Sequence, residues 1–173
     1  MIYCPYCDAE NIEGVDVCEK CQQSLRDLHL SPPASDVEKS LLIDRVAALN
    51  PRTPFVLPHT TPVSEVLQFL VDKGIGCVFV ADGDNVVGVF TERDAMMRFD
   101  FDANDYAAKP ISEYMTSTPK SLTTDAKIAF AARMMDQGGY RHILVHDESG
   151  KPTGVTSVRD ILGYLSARVS TTC

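Results

Sequence analysis

The chain has 173 residues, of which 45% are hydrophobic and 23% are charged, proportions that are ordinary for a soluble globular protein. Its formal net charge of -8 disfavours non-specific binding to nucleic acid, because that binding needs a basic surface. No apolar run is long enough to span a bilayer, and the first residues lack the basic and apolar regions of a secretory signal. The sequence therefore predicts a cytoplasmic protein that does not bind membranes, and its acidity disfavours nucleic acid as a partner.

Four of the six cysteines form two C-x2-C pairs that are separated by ten residues near the start of the chain. Each pair can place two thiolates at the tip of a tight turn, and two such turns complete a tetrahedron with no open position for water. The spacing predicts a structural zinc ion (Zn2+) held by Cys4, Cys7, Cys18 and Cys21. Residues 1–26 contain too few large apolar side chains to form a core, so metal binding would supply the folding free energy.

Residues 1–26 resemble the zinc-ribbon family, whose short bacterial and archaeal members begin with a similar Met-Ile-Tyr-Cys-Pro-Tyr-Cys run. Asp8 and Gln22 stand where small residues or glycine often follow each cysteine pair. The first pair is also similar to the Cys-Pro-Tyr-Cys motif of glutaredoxins, but a redox motif of that kind needs a whole βαβ domain around it. Because acidic residues outnumber basic ones in this region, we expect the ribbon to dock on protein and not on nucleic acid.

A linker, residues 27–36, is predicted to follow, because its Ser-Pro-Pro run cannot be helical. Ser35-x-x-Glu38 is a capping box, and Leu41, Leu42, Val46 and Leu49 would form the buried stripe of one helix that ends at Asn50.

The rest of the chain contains an internal duplication. Thr53-Pro54 aligns with Thr118-Pro119, Gly74 with Gly139 and, after one extra residue, Arg93-Asp94 with Arg159-Asp160. Each copy is predicted to fold as β-α-β-β-α, the first over residues 37–107 and the second over residues 108–173. One copy alone would leave its apolar face uncovered, so we expect the two to pack as a pseudo-twofold pair.

The junction between the last strand and the last helix carries the same motif in both copies. It begins at Gly88 and at Gly154, and it has the form G-h-h-[ST]-x-x-D. Together with the repeated β-α-β-β-α order, this motif resembles the CBS (cystathionine β-synthase) domain, whose tandem pairs form Bateman modules. The resemblance covers residues 37–168 and implies an α/β (α+β) fold of two tandem repeats, preceded by the small zinc ribbon, and a homodimer.

A hydroxyl and a carboxylate at a helix N-terminus can accept hydrogen bonds from ribose, and the free N–H groups there favour phosphate. The resemblance implies that an adenine nucleotide, or a related adenosyl ligand, binds in the cleft between the copies as a regulatory ligand. Because Gly76-Cys77 of the first copy align with Arg141-His142, phosphate contacts are expected mainly in the second copy. The predicted ligand-binding residues are Thr53, Ile75, Thr91, Arg93, Asp94, Thr118, Tyr140, Arg141, His142, Ser157, Arg159 and Asp160.

The favoured interpretation is a regulatory protein, not an enzyme, that senses an adenine nucleotide and signals to an unidentified protein partner. The first alternative is a scaffold without a ligand, because [ST]-x-x-[DE] is itself a capping box that satisfies the same N–H groups. An enzyme is disfavoured, since no nucleophile–base pair or open metal site is found and the four histidines are scattered. Transcriptional regulation through the ribbon is a further alternative that the acidic charge of the ribbon disfavours.

Overall fold

A computed structural model of the chain describes residues 1–4, 6–12, 14–25, 35–99 and 106–169. The chain forms two compact units. We call Thr53–Lys120 the inserted unit, and Met1–Arg52 together with Ser121–Cys173 the split unit. Most of the predicted linker, residues 27–34, lies outside the described residues. Within the described ranges, no helix has both the length and the apolar character that crossing a membrane requires.

The chain begins with a small cysteine module, whose described residues are 1–4, 6–12 and 14–25. Strands β1 (Ile2–Tyr3) and β2 (Glu10–Asn11) pair antiparallel in it. Its fully buried side chains are those of Cys4, Cys18 and Leu25. So small an apolar core supplies little folding free energy, which agrees with the expectation that this module depends on a metal ion.

Helix α1 (Asp36–Ile43) begins at Ser35, whose hydroxyl accepts a hydrogen bond from the N–H of Glu38 at 3.1 Å. The prediction of one helix that continues to Asn50 is wrong, because Asp44 is extended and a separate 3-10 helix, Val46–Leu49, follows. Tertiary hydrogen bonds explain the break. The N–H of Val46 donates to Ala126 O at 2.7 Å, and the N–H of Ile128 donates to Asp44 O at 3.0 Å, so the backbone here pairs with a distant loop.

In the inserted unit, β3 (Val56–Pro58), β4 (Cys77–Asp82), β5 (Asn85–Thr91) and β6 (Thr116–Ser117) form one sheet in this order. Strand β3 is parallel to β4, and the other pairs are antiparallel. Helix α2 (Val63–Lys73) ends at Gly74, whose left-handed backbone (φ 60°) closes the helix as predicted. Helix α3 (Glu92–Arg98) follows β5. The core of this unit includes Val63, Val66, Leu70, Val78, Val80 and Phe90.

In the split unit, β7 (Ser121–Thr123), β8 (His142–His146) and β9 (Pro152–Ser157) form a second sheet. Strand β7 is parallel to β8, and β9 is antiparallel to β8. Helices α4 (Ile128–Gly138) and α5 (Val158–Val169) complete the β-α-β-β-α order, which is thereby confirmed for both copies. The core of this unit includes Val46, Leu49, Leu122, Ile128, Ala131, Met135, Ile143, Val145, Ile161 and Tyr164.

Each sheet is extended by a segment from the beginning of the other repeat. In the inserted unit this segment is β6, which pairs with β5 at Gly88 and Val89. In the split unit, Arg52 exchanges two backbone hydrogen bonds with Val155, at 3.1 and 2.8 Å. The units formed by packing therefore combine residues from both repeats of the sequence.

Both contacts occur beside the glycine that opens the motif. A Cβ atom on Gly88 would lie 2.2 Å from the Sδ atom of Met115, and one on Gly154 would lie 2.5 Å from the Cβ atom of Pro51. Both separations are shorter than a van der Waals contact, so a side chain at either position would force a neighbour to move. The flexible side chain of Met115 can shift, but the ring of Pro51 is rigid, so the approach of residues 51–52 to β9 requires glycine at position 154.

Candidate functional sites

The four sulfur atoms of the cysteine module lie together, all within 4.8 Å of one another. The Sγ atoms of Cys4 and Cys21 are 3.5 Å apart, and those of Cys7 and Cys18 are 3.7 Å apart. Tetrahedral Zn–S bonds of about 2.3 Å place neighbouring sulfur atoms about 3.8 Å apart. The arrangement therefore fits a structural metal ion of the zinc type, with all four ligands supplied by the chain.

The backbone after each cysteine pair forms the same tight turn. The N–H of Asp8 donates to Cys4 O at 2.8 Å, and the N–H of Gln22 donates to Cys18 O at 2.9 Å. Asp8 and Gln22 both adopt the left-handed backbone, with φ of 54° and 59°. The turns thus keep the geometry that glycine would adopt at these positions, although neither residue is glycine.

Hydrogen-bond donors converge on Cys18 and change its acidity. Burial raises the pKa of its thiol, but the N–H groups of Cys21 and Lys20 and the amide of Asn11 lower that pKa to about 6. The Nδ2 atom of Asn11 lies 3.6 Å from Cys18 Sγ. Burial instead raises the pKa of Cys21. Cys18 therefore loses its proton more readily than Cys21, and because a metal binds the thiolate form of each cysteine, metal affinity increases with pH.

Within the split unit, the cysteine module packs on the start of α4. The carboxylate of Asp8 pairs with Arg45 Nη2 at 2.5 Å and with Lys127 Nζ at 3.4 Å. The hydrogen bond from Arg45 lowers the pKa of Asp8 below its usual value. The ring of Tyr6 lies 5.3 Å from that of Phe130, measured between centroids. The surface that this module contacts is thus part of its own chain.

In the first motif, Thr91 and Asp94 form a complete capping box at the start of α3. The Thr91 hydroxyl accepts a hydrogen bond from the N–H of Asp94 at 3.2 Å, and it donates to Asp94 Oδ2 at 2.6 Å. Asp94 Oδ1 accepts from Arg98 Nε at 3.0 Å and from the Thr116 hydroxyl at 3.3 Å. Both carboxylate oxygens therefore have partners from the protein itself.

The second motif differs in what holds its carboxylate. Asp160 Oδ2 accepts hydrogen bonds from the N–H and the hydroxyl of Ser157, each at 2.7 Å. Asp160 Oδ1 accepts from Arg52 Nη2 at 3.0 Å. The side chain of Arg52 is 69% exposed, whereas that of Asp160 is 18% exposed. Among the described residues, the partner of this second oxygen of Asp160 is thus a solvent-exposed arginine, which can move away at little cost.

The loop before the second strand of each copy lies beside its own motif. The N–H of Glu92 donates to Gly76 O at 3.1 Å, and the N–H of Val158 donates to Arg141 O at 3.2 Å. His142 is opposite Ser157 in the register of β8 and β9. The structure therefore brings residues 140–142 to the start of α5, and residues 75–76 to the start of α3.

The remaining predicted residues are mostly exposed. Thr118 has a left-handed backbone (φ 55°), and its N–H donates to Val87 O at 3.1 Å. Arg93 and Arg159 are exposed in the first turns of α3 and α5, as is Thr53 just before β3. No local pattern in the sequence marks Arg52, Arg98 and Thr116, although all three contact the motif carboxylates.

Two β-α-β-β-α copies, each with a hydroxyl and a carboxylate at the start of its last helix, define a protein that is built on a tandem pair of CBS-type repeats. The CBS domain model matches residues 46–100 and 111–167, which together make up more than half of the chain. The chain therefore belongs to the CBS domain family.

The relatives found by comparison agree with this assignment. An uncharacterized protein of Acidianus ambivalens is 30% identical over 108 residues, covering 62% of this chain and 64% of the relative. The chain spans less than two thirds of the length of the curated relatives it matches.

Two solved structures show the same fold. A CBS domain protein of Pyrobaculum aerophilum, solved in complex with AMP, is 27% identical with a TM-score of 0.62, covering 72% of this chain and 99% of that one. A CBS-domain containing protein of Agrobacterium tumefaciens has a TM-score of 0.63 at 23% identity, covering 69% and 89% of the two chains. At 23% identity, the second structure is evidence for the fold alone.

Proposed function

We propose that this protein is a regulatory sensor that binds an adenine nucleotide at its CBS motifs and passes the ligand state to a protein partner. The observation that carries the proposal is the second motif, where Ser157 and Asp160 lie at the start of α5 with residues 140–142 beside them. The AMP complex of the Pyrobaculum aerophilum relative supports a ligand of the adenosine class.

Each group at the second motif has a role that its chemistry suits. Asp160 Oδ1 would accept a hydrogen bond from a ribose hydroxyl after the exposed side chain of Arg52 moves away. The N-terminal end of α5 presents the positive end of the helix dipole, which favours phosphate. The exposed guanidinium groups of Arg141 and Arg159 would add charge-assisted hydrogen bonds to phosphate oxygens, and Tyr140 would stack on the base.

The first motif is expected to bind nucleotide more weakly. A ribose hydroxyl would have to displace Arg98 or Thr116 from Asp94, or break the capping box with Thr91. This motif is also the observation that favours the second candidate function, a scaffold without a ligand, since its polar groups are already satisfied by the protein. For the sensor function, the ligand must also bind one conformational state of the protein more tightly than another, because only then does binding shift the protein between those states.

We further propose that the cysteine cluster holds a structural zinc ion, which the four sulfur atoms within 4.8 Å support. Zinc bound there would fix the two turns and would leave no coordination position for a substrate.

A cytoplasmic homodimer is proposed from the family resemblance. Exposed apolar side chains on α5, Val158, Leu162 and Val169, support a second copy as the partner because they lie on one face of the helix.

A thermal-shift series tests the nucleotide proposal. The zinc-loaded protein is heated with AMP, ADP, ATP, S-adenosylmethionine or cyclic di-AMP, each over a range of concentrations. A ligand that binds only the folded state stabilises it by about 2.7 kcal/mol at 100 times its dissociation constant, so the melting temperature should rise with concentration. The Asp160→Ala variant should show a smaller rise. If none of the five compounds raises the melting temperature, the scaffold function is correct instead.

A further inference from the structure

One short segment, residues 45–52, reaches from the cysteine module to the second motif. At its beginning, Arg45 contacts Asp8, which directly follows the metal-site residue Cys7. At its end, Arg52 contacts Asp160, the carboxylate of the motif. Both contacts lie within the split unit, so their geometry is defined by one packed body.

The beginning of the segment is held by the cysteine module. Arg45 uses one nitrogen for Asp8 and donates the other, Nη1, to Asp125 O at 2.6 Å. Asp8 also pairs with Lys127, the residue that precedes α4. The carboxylate of Asp8 therefore ties the segment to the start of α4, and its position depends on the turn that the N–H of Asp8 closes on Cys4.

The middle of the segment is packed and not free to absorb a displacement. Val46 is fully buried and Leu49 is 7% exposed, and both belong to the core of the split unit. The N–H groups of Val46 and Ala47 donate to Ala126 and Thr124, at 2.7 and 3.0 Å. Close-packed cores transmit a shift at one end of such a segment toward the other.

The end of the segment forms part of the surroundings of the second motif. Pro51 packs against Gly154, the first residue of the motif. Arg52 pairs with Val155 through its backbone and with Asp160 through its side chain. The backbone pairing and the packing of Pro51 hold the motif in place, whereas the exposed side chain of Arg52 moves away from Asp160 when a nucleotide binds. A disordered segment would remove this backbone support, and a nucleotide would then have to order it again when it binds.

We propose that metal binding in the cysteine module and nucleotide binding at the second motif are positively coupled through residues 45–52. This inference rests on the proposed function, because it takes zinc and an adenine nucleotide as the two ligands. Zinc fixes the turn that carries Asp8, and Asp8 fixes Arg45 and with it the segment. The nucleotide then meets an ordered motif and spends less of its binding free energy on ordering the chain. The protein would report the two inputs jointly.

The coupling has a definite sign and a required symmetry. Zinc-loaded protein should bind AMP more tightly than zinc-free protein, by roughly fivefold or more, which is the lower end of typical coupling between two sites. AMP must then raise the affinity for zinc by the same factor, because coupling free energies are reciprocal.

The test uses Asp8→Gly in the full chain, loaded with zinc. Glycine adopts the left-handed backbone of Asp8 (φ 54°) without strain, so this variant keeps the turn and all four cysteines but loses the carboxylate. Gln22→Gly is the matched control, since Gln22 holds the equivalent position after the second cysteine pair (φ 59°) and its side chain donates to the nearby Glu19 O.

Two calorimetric titrations are measured for each protein, AMP into the zinc-loaded form and zinc into the form with and without AMP. Asp8→Gly should bind AMP several-fold more weakly than the parent and should lose the effect of AMP on zinc affinity, while Gln22→Gly should match the parent in both. Equal AMP affinity in the parent, in Asp8→Gly and in the zinc-free protein overturns the coupling but leaves the nucleotide site standing. If no form binds AMP, both proposals fall.

Discussion

At the residue scale, the two motif aspartates occupy the same position of the sequence pattern but have different hydrogen-bond partners. Among the described residues, the carboxylate of Asp94 makes four hydrogen bonds or ion pairs, two with Thr91 and one each with Arg98 and Thr116, and these fix the beginning of α3. Asp160 is held by Ser157 and by the exposed Arg52. A carboxylate that already stabilises a helix start is a poor acceptor for a ligand, because the existing bonds must be broken first.

Substituting the two aspartates should therefore affect different quantities, stability for Asp94 and AMP affinity for Asp160. Asp94→Ala should lower the free energy of unfolding by about 1–2 kcal/mol, as expected for a lost helix cap, with little change in AMP affinity. Asp160→Ala should mainly weaken AMP binding, by about tenfold if one charge-assisted hydrogen bond is lost. Urea denaturation and calorimetry measure the two quantities. Asp84→Ala, in an exposed turn between β4 and β5, serves as the control.

The same loss of AMP affinity in Asp94→Ala and Asp160→Ala would contradict this division of roles. It would mean that the partners of Asp94 yield to a ligand as readily as Arg52 does.

At the element scale, the pairing of residues 51–52 with β9 depends on Gly154. Gly154→Ala would place its Cβ atom 2.5 Å from Pro51 Cβ, and the rigid proline ring cannot rotate away. We expect a loss of about 1–3 kcal/mol in the free energy of unfolding, which is typical of overpacking. Gly163→Ala is the control, because nothing lies within 4 Å of a Cβ atom at that position of α5. Alanine there should stabilise the helix by roughly 0.5–1 kcal/mol.

Chemical denaturation of both variants decides the point. Gly154→Ala with the stability of the parent would show that residues 51–52 do not press on β9 in solution.

Elements that local signals define were predictable from the sequence. Gly74 ends α2, Ser35 caps α1, and both strand–helix junctions lie where the duplicated motif places them. The break after α1 was not predictable, because its apolar spacing continues as in a helix while Val46 turns to hydrogen-bond with Ala126. Tertiary hydrogen bonds outweigh a helical pattern when they satisfy the same backbone groups.

The contacts around the candidate sites divide in the same way. The spacing of the cysteines identified all four residues that the structure brings together. By contrast, the contact of Asp160 with Arg52 joins residues 108 positions apart, and that of Asp8 with Arg45 joins residues 37 positions apart. Each pair consists of ordinary charged residues, and a single sequence carries no signal that they meet.

At the scale of the whole molecule, metal removal should affect the two units differently. The cysteine module contacts the split unit through Asp8 and Tyr6. Chelation of the metal should therefore speed hydrogen exchange at amides that join residues 44–47 to residues 124–128. Amides of the inserted unit, such as that of Phe79, which donates to Phe55 O at 2.8 Å, should keep their rate.

Hydrogen exchange followed by mass spectrometry resolves these peptides. A uniform increase across both units would indicate that the metal stabilises the whole chain and not the split unit, and no increase anywhere would indicate that the cysteine module is not anchored through Asp8.

The split unit also has a consequence for biosynthesis. On the ribosome, residues 53–120 emerge as one uninterrupted stretch, whereas residues 1–52 must await residues 121–169 before their unit can close. At roughly 5–20 residues per second, translation of that last stretch takes several seconds. During this interval Val46 and Leu49 lack the core they join, and Tyr6 lacks the ring of Phe130. The nascent cysteine module can thus bind its metal before the ribosome has synthesised the part of α4 on which the module packs.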